Sequence, residues 1–223
     1  MIDIDSLKKD ERLAKFKSLI EEWNEKMNLT AISDETSFFD KHFFDSLNIL
    51  NYISIADKSV LDVGSGAGFP GIPLAIYAPS SKISLLEATS KKCEFLGVAV
   101  EELNLKNITI LNKRSEEIAE HERESFDVVL SRAVGRIKET IELASPYLRV
   151  GGKLILFKGP SYKEELSEAS SMLDELNLKL SDVKKYKLPD FDEYRYYVIF
   201  EKLAKTSKRY PRSYSIIKKG IKR

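Results

Sequence analysis

The stretch Val60-Leu61-Asp62-Val63-Gly64-Ser65-Gly66-Ala67-Gly68-Phe69-Pro70-Gly71 runs an apolar strand straight into a loop with glycine at every second position. Glycine has no Cβ, so Gly64, Gly66 and Gly68 admit positive φ and let a ligand come close to the main chain. A helix beginning near Pro70 aims its free N–H groups at the same spot. Strand, glycine loop and helix N-terminus in that order predict a nucleotide-cofactor site. A glycine-rich turn kept for packing alone is the competing reading, and two carboxylates weigh against it. Asp62 precedes the first glycine by two residues, and Glu87 ends the next strand, Lys82 to Glu87. That is where the ribose-binding acid of a nucleotide fold is expected, ~20 residues after the glycine loop.

The glycine spacing is GxGxG, with Phe69 where the GxGxxG dinucleotide fingerprint places its third glycine, which disfavours a nicotinamide enzyme. With Asp62 in front, the loop resembles the first motif of the S-adenosylmethionine (SAM) methyltransferases. SAM has no pyrophosphate, so such a loop need only pass beneath the methionine part. The resemblance implies that Asp62 orders the ligand's ammonium group, directly or through water, and that Glu87 accepts hydrogen bonds from the ribose hydroxyls.

Composition fits a soluble globular protein. The chain has 223 residues, 43% hydrophobic, with a net charge of +1, enough for one domain with additions. No apolar run approaches the ~20 residues that span a bilayer, and the first residues lack the apolar core of a signal peptide. Cys93 is the one cysteine, which excludes an internal disulfide and suggests a cytoplasmic protein. His42 and His121 have no metal-ligand spacing around them, so no metal is expected. No coiled-coil seam is visible, which favours a monomer. From Lys202 to the end there are nine Lys or Arg and no acid; subtracting those nine from the 36 basic residues leaves 27 against 35 acidic ones. A basic tail on an acidic body suggests a local polyanion contact, and Tyr210 and Tyr214 among its arginines permit base stacking. A solvated terminus is the alternative.

Hydrophobic periodicity divides the chain into an N-terminal helical extension (1–55), a core domain (56–203) and the basic tail (204–223). Phe16, Leu19, Ile20, Trp23 and Met27 recur at helical spacing; a second helix follows Asp34, with Phe39, Phe43, Leu47 and Leu50 on one side and His42 and Asp45 on a neighbouring one. Strands are expected near 59–63, 82–87, 107–111, 126–131 and 153–158, alternating with helices, and a final hairpin over 178–186 and 194–200. Gly151-Gly152 reads as a turn, and 163–176 as one helix. The alternation predicts an α/β, Rossmann-like fold with a mostly parallel seven-stranded sheet and an edge hairpin. Ligands bind outside the carboxyl ends of such strands. The loops there offer Gly64 to Phe69, Glu87 to Thr89, Arg114 to Glu117, and Ser131-Arg132, with Ser115-Glu116 placed to hold an adenine.

Several strings resemble a narrower group: Asn28-Leu29-Thr30, His42-Phe43-Phe44-Asp45-Ser46-Leu47, Gly68-Phe69-Pro70-Gly71-Ile72-Pro73-Leu74, Ser131-Arg132-Ala133, Lys158-Gly159 and Arg209-Tyr210-Pro211-Arg212. In this order and spacing they are similar to the ribosomal small subunit methyltransferase G family, also called glucose-inhibited division protein B. The resemblance implies methyl transfer from SAM to N7 of the guanine at position 527, in the 530 loop of bacterial 16S rRNA, either free or in the 30S subunit. It also implies that Gly64, Phe69, Ser115, Glu116 and Arg132 contact the cofactor, alongside Asp62, Gly66 and Glu87, and that Asn28, Lys91, Arg114 and Lys158 position the substrate. Glu87 stands where some relatives have Asp, which keeps the carboxylate; the stretch after Pro211 departs from the family pattern.

Guanine N7 carries a lone pair and no proton, so neither a general base nor any catalytic proton-transfer residue is expected. Arg132 and Lys158, ending adjacent strands, are expected to bind phosphate or the guanine O6; salt bridges to Asp62 or Glu87 are their alternative. His42 and Asp45 are expected to pair and orient the helical extension over the site. Asn28 either contacts a base or caps a helix ending near Met27. A methyltransferase for proteins or small molecules, and a non-catalytic SAM- or RNA-binding regulator, are the competing functions.

Overall fold

Apolar residues alternate along the central strands and so fill both faces of one sheet. The computed structural model describes residues 2–32 and 34–219. Its seven strands are β1 (Ser59–Val63), β2 (Lys82–Glu87), β3 (Ile108–Asn112), β4 (Phe126–Arg132), β5 (Leu148–Lys158), β6 (Leu178–Lys187) and β7 (Tyr194–Lys202). They lie in the order β3-β2-β1-β4-β5-β7-β6, parallel except for β7, which runs antiparallel to both its neighbours. The expected α/β architecture with an edge hairpin is therefore present. The strand order reverses direction at β1 and β4, and the crevice above that point is where open α/β sheets bind ligands.

Val60, Ile83, Leu85, Val128 and Leu130 face one apolar cluster, while Leu61, Val63, Leu86 and Val129 face the other. The first cluster also takes in Leu13, Phe16, Ile20, Phe38, Phe43 and Leu47, so the N-terminal extension and the sheet share one continuous core. Phe16 packs on Phe43, Phe69 and Phe95 with centroids 5.2–6.4 Å apart; removing such an enclosed ring costs ~3–5 kcal/mol.

Four local expectations are corrected. Helix Glu11–Asn24 stops before Met27, because the Asn24 side chain ties the following loop through Leu29 N, Thr30 N and Thr30 O. Asn28 is exposed and is not the cap. β5 begins at Leu148, and Gly151-Gly152 lie inside it, where the pairing with β4 jumps between Phe126 and Val128. The helix expected over 163–176 is two, Tyr162–Glu168 and Ser170–Glu175, divided at Ala169. The second N-terminal helix starts after Asp34 as expected, its side chain accepting from Ser37 N. It then widens into a π-helical stretch, Phe39–Phe44, a form that recurs at functional sites.

The tail over 204–219 folds back on the body. Lys205, Lys208, Arg209, Arg212 and Lys218 pair with Glu124, Glu120, Glu175, Glu142 and Glu139. Lys202 is enclosed in β7, its ammonium donating to the carbonyls of Ser145 and Leu148 at 2.7 and 3.1 Å, and burial lowers its pKa to about 8. Lys222 and Arg223 lie outside the described residues. No helix among the described residues is long and apolar enough to cross a membrane.

Candidate functional site

Two clefts open side by side at the carboxyl ends of the strands. The first, ≈ 160 Å³, is lined by Gly64, Glu87, Arg114, Ser115, Glu116 and Val134, with apolar walls from Val63, Leu86 and Leu143 and a further side from Tyr214. Gly64 and Gly66 take φ of +74° and +57°, a region costly for residues with a Cβ. A Cβ on Gly64 would lie 2.3 Å from Val134 Cγ2, so the loop needs both the conformation and the missing atom. Its shape is held from β2: Gly64 N and Ser65 N donate to the Leu86 carbonyl, and Gly66 N donates to Glu87 Oε2 at 3.0 Å. Glu87 Oε1 accepts from Thr89 N at 2.8 Å.

Asp62 is wholly enclosed. Its Oδ2 accepts from Gly71 N at the start of helix Gly71–Tyr77, at 3.0 Å, while Oδ1 is buried with no hydrogen-bond partner among the described residues. Burial pushes its pKa up to about 7, against the Gly71 N–H and the Arg132 charge, which pull it down. Ser115 donates from Oγ to the Leu143 carbonyl at 2.8 Å and accepts at its own carbonyl from the Tyr147 hydroxyl.

The second cleft, ≈ 370 Å³, lies over β4, β5 and the N-terminal extension, with Lys41, His42, Asp45, Arg132, Ala133 and Lys158 on its walls and Arg195 from β7. Arg132 is its centre. Nη1 donates to the Lys41 carbonyl and to Asp45 Oδ2, both at 2.9 Å, and Nη2 contacts His42 Nδ1 at 3.2 Å. Its guanidinium sits 5.1 Å from the Phe69 ring centroid, and Phe69 stacks on His42 at 4.5 Å. Burial, aided by Arg132, lowers the His42 pKa to about 3, so the ring is neutral. Arginine only donates, which makes Nδ1 the acceptor and puts the proton on Nε2, 2.9 Å from Thr30 Oγ1.

Sequence-predicted residues divide between these places. Gly64, Glu87, Ser115 and Glu116 line the first cleft, and so does Arg114, which was expected with the substrate; its guanidinium lies 5.7 Å from the Tyr214 ring. Arg132, which was expected with the cofactor, and Lys158 line the second. Their ion-pair partners are Asp45 and Glu165, not Asp62 or Glu87, because Glu87 is held by the glycine loop and Asp62 faces Gly71. His42 and Asp45 meet through Arg132 rather than through each other. The Phe69 ring is 4% exposed in the aromatic core, so what residue 69 offers the loop is its backbone. Asn28 and Lys91 are exposed outside both clefts. Sequence reasoning missed Lys41 and Arg195, which carry no signal of their own, and singled out Tyr214 only as a stacking residue of the basic tail, whereas it lines the first cleft.

The family model for GidB, rRNA small subunit methyltransferase G, matches residues 9–192. The chain belongs to this family. Members of the rRNA small subunit methyltransferase G family similar to it include those of Carboxydothermus hydrogenoformans, 45% identical over 199 residues, covering 88% of this chain and 84% of that protein. One from Clostridium botulinum is 41% identical over 216 residues, covering 96% and 90%. Solved structures share the fold. M. jannaschii TYW2, crystallised with AdoMet, superposes with a TM-score of 0.57 at 15% identity, covering 78% of this chain and 80% of that one. A predicted O-methyltransferase from Agrobacterium tumefaciens gives 0.58 at 20% identity, covering 75% and 82%.

Proposed function

We propose that this chain transfers the methyl group of S-adenosylmethionine to N7 of a guanine in bacterial 16S rRNA, at position 527 in the 530 loop. Membership in the rRNA small subunit methyltransferase G family supports the reading. The observation that carries it is the wall between the two clefts: Arg132 and Ala133 line one and Val134 lines the other. Three consecutive residues thus separate a glycine-floored cleft from a cationic one, and a donor and an acceptor base meet across them. Ala133 turns this corner at φ +59°, a conformation that non-glycine residues keep mainly where the surroundings impose it.

The residues present fit the cofactor. A Cβ would fill the cradle at Gly64, Asp62 keeps an enclosed oxygen without a partner among the described residues, and Glu87 retains lone pairs after accepting two N–H groups. When bound, SAM supplies an electrophilic sulfonium methyl. Gly64 and Gly66 would bring the main chain against it, Glu87 would take the ribose hydroxyls, and Ser115 and Glu116 the adenine edge. Asp62, being enclosed, would reach the ammonium through water.

Guanine N7 needs no proton removed before it attacks, so the protein's work is placement. Holding the reactants in line contributes up to ~7–11 kcal/mol. Arg132, fixed by three protein acceptors, and Lys158, fixed by the Gly135 carbonyl at 2.6 Å and Glu165 at 2.8 Å, present immobile cations to the base or its phosphate. N7 is buried in the deep groove of A-form RNA, so the target guanine must be unpaired or splayed out to enter. Asn28, Lys91 and Arg114 contact the RNA around it in this reading. Incubating the chain with labelled SAM and 30S subunits lacking the modification, then digesting the rRNA for nucleoside mass spectrometry, tests the proposal. 7-Methylguanosine carrying the label is expected; label in any other nucleoside, or none, refutes it.

A further inference from the structure

The segment after β7 lies against helix Ile137–Ala144 and reaches the first cleft at Tyr214. Arg212 holds Glu142, which is 1% exposed, from Nε and Nη2 at 2.8 and 2.6 Å, and its backbone N donates to the same carboxylate at 3.0 Å. Lys218 pairs with Glu139 at 3.1 Å. Both acids belong to helix Ile137–Ala144, which supplies Leu143 to the cleft wall. Tyr210 anchors the start of this segment in the apolar cluster beneath. Between the Arg212 and Lys218 anchors stands Tyr214, and it lines the cleft.

Packing does not consume this ring, which remains 41% exposed. The Arg114 guanidinium and the Lys218 ammonium lie 5.7 and 5.4 Å from its centroid, within the range where a cation is drawn to an aromatic face and steadies it. An aromatic ring beside apolar walls, at the end of the cleft where Ser115 and Glu116 stand, offers a purine a surface to stack on.

We infer that Tyr214 contacts the adenine of SAM, and that the strap Tyr210–Lys219 closes this end of the cleft. The inference rests on the reading of the first cleft as the SAM site. The contact is made by the ring, and the hydroxyl is dispensable to it. The basic tail thereby serves the cofactor, its charges neutralising acids of helix Ile137–Ala144 so that the strap can lie down.

Calorimetric titration with SAM and with 5′-methylthioadenosine, which keeps adenine and ribose but lacks the amino acid, tests this on four forms. These are the unaltered chain, Tyr214→Ala, Tyr214→Phe and a chain ending at Ser213, which retains the Tyr210 and Arg212 anchors. Tyr214→Ala and the shortened chain are expected to bind both ligands about tenfold more weakly, with Tyr214→Phe within about twofold of the unaltered chain. Affinities unchanged in Tyr214→Ala overturn the inference, as does a loss confined to SAM, which would place the effect at the amino-acid end. Failure of the unaltered chain to bind either ligand refutes the reading of the cleft itself.

Discussion

Arg132, at the end of β4, donates to Asp45 of the N-terminal extension at 2.9 Å across 87 positions of sequence. The other Asp45 oxygen accepts from the Tyr186 hydroxyl at 2.6 Å, and its carbonyl accepts from the Tyr197 hydroxyl at 2.9 Å. One aspartate therefore ties the sheet centre, the helical extension and the edge hairpin together at the mouth of the second cleft.

Arg132→Lys keeps the charge but loses the fork that reaches Lys41, Asp45 and His42 together. Methyl transfer to 30S subunits should fall about 100-fold, the scale of a misplaced reacting geometry, while SAM affinity holds. Asp45→Ala leaves a largely buried guanidinium unpaired and should cost ~3–5 kcal/mol in urea unfolding. Near-normal turnover in the lysine variant would remove Arg132 from the placement role.

His42 is neutral in the folded chain down to a pKa of about 3, and its ordinary value is 6.5. Between those values the unfolded chain binds the extra proton, so stability falls as pH drops through that window, with a limiting slope of about 1.4 kcal/mol per pH unit. His42→Gln should flatten this acid limb when unfolding is followed from about pH 7 to about pH 5. An identical slope in both proteins contradicts the assignment.

Asp62 titrates near 7 in the folded chain against 3.8 ordinarily. The folded state therefore binds the extra proton between these values, and the stability it contributes is lost as pH rises through about 7. A sulfonium and an ammonium nearby favour the carboxylate, so SAM binding should release up to about one proton near neutrality and tighten as pH rises. Titration calorimetry in buffers of different ionisation enthalpy measures this release, and Asp62→Asn should abolish it. Proton-independent binding by the unaltered chain would sever Asp62 from the cofactor.

Gly64→Ala places a methyl 2.3 Å from Val134 Cγ2 at a φ of +74°. Stability should drop by ~1–3 kcal/mol, and SAM binding should be lost because the wall between the clefts must move. Adding Val134→Ala relieves the clash but not the φ, so affinity should return in part. Full affinity in Gly64→Ala alone would show that the loop is not the cofactor floor.

The sheet was legible because buried strands alternate their apolar residues between two helical layers, and β1, β2 and β4 fall within a residue of the expected bounds. β5 starts earlier than its sequence suggests, since Gly151-Gly152 signals a turn while Leu148 still pairs with Phe126 across an irregular register. The floor of the first cleft was also legible, because Gly64, Gly66 and Glu87 are local to two strand ends. Partners of the cations were not: Asp45 and Glu165 reach Arg132 and Lys158 only through tertiary packing. The charges of the basic tail were legible but not the acids that face them: Glu120, Glu124, Glu139, Glu142 and Glu175 pair with five of its cations.

The central claim is tested most directly by locating the methyl group within the rRNA. After reaction with the 30S subunit, reduction and aniline cleavage at 7-methylguanosine followed by primer extension should give one new stop, immediately 3′ of the guanine in position 527. A stop elsewhere, or labelled rRNA with no cleavable site, would contradict the account.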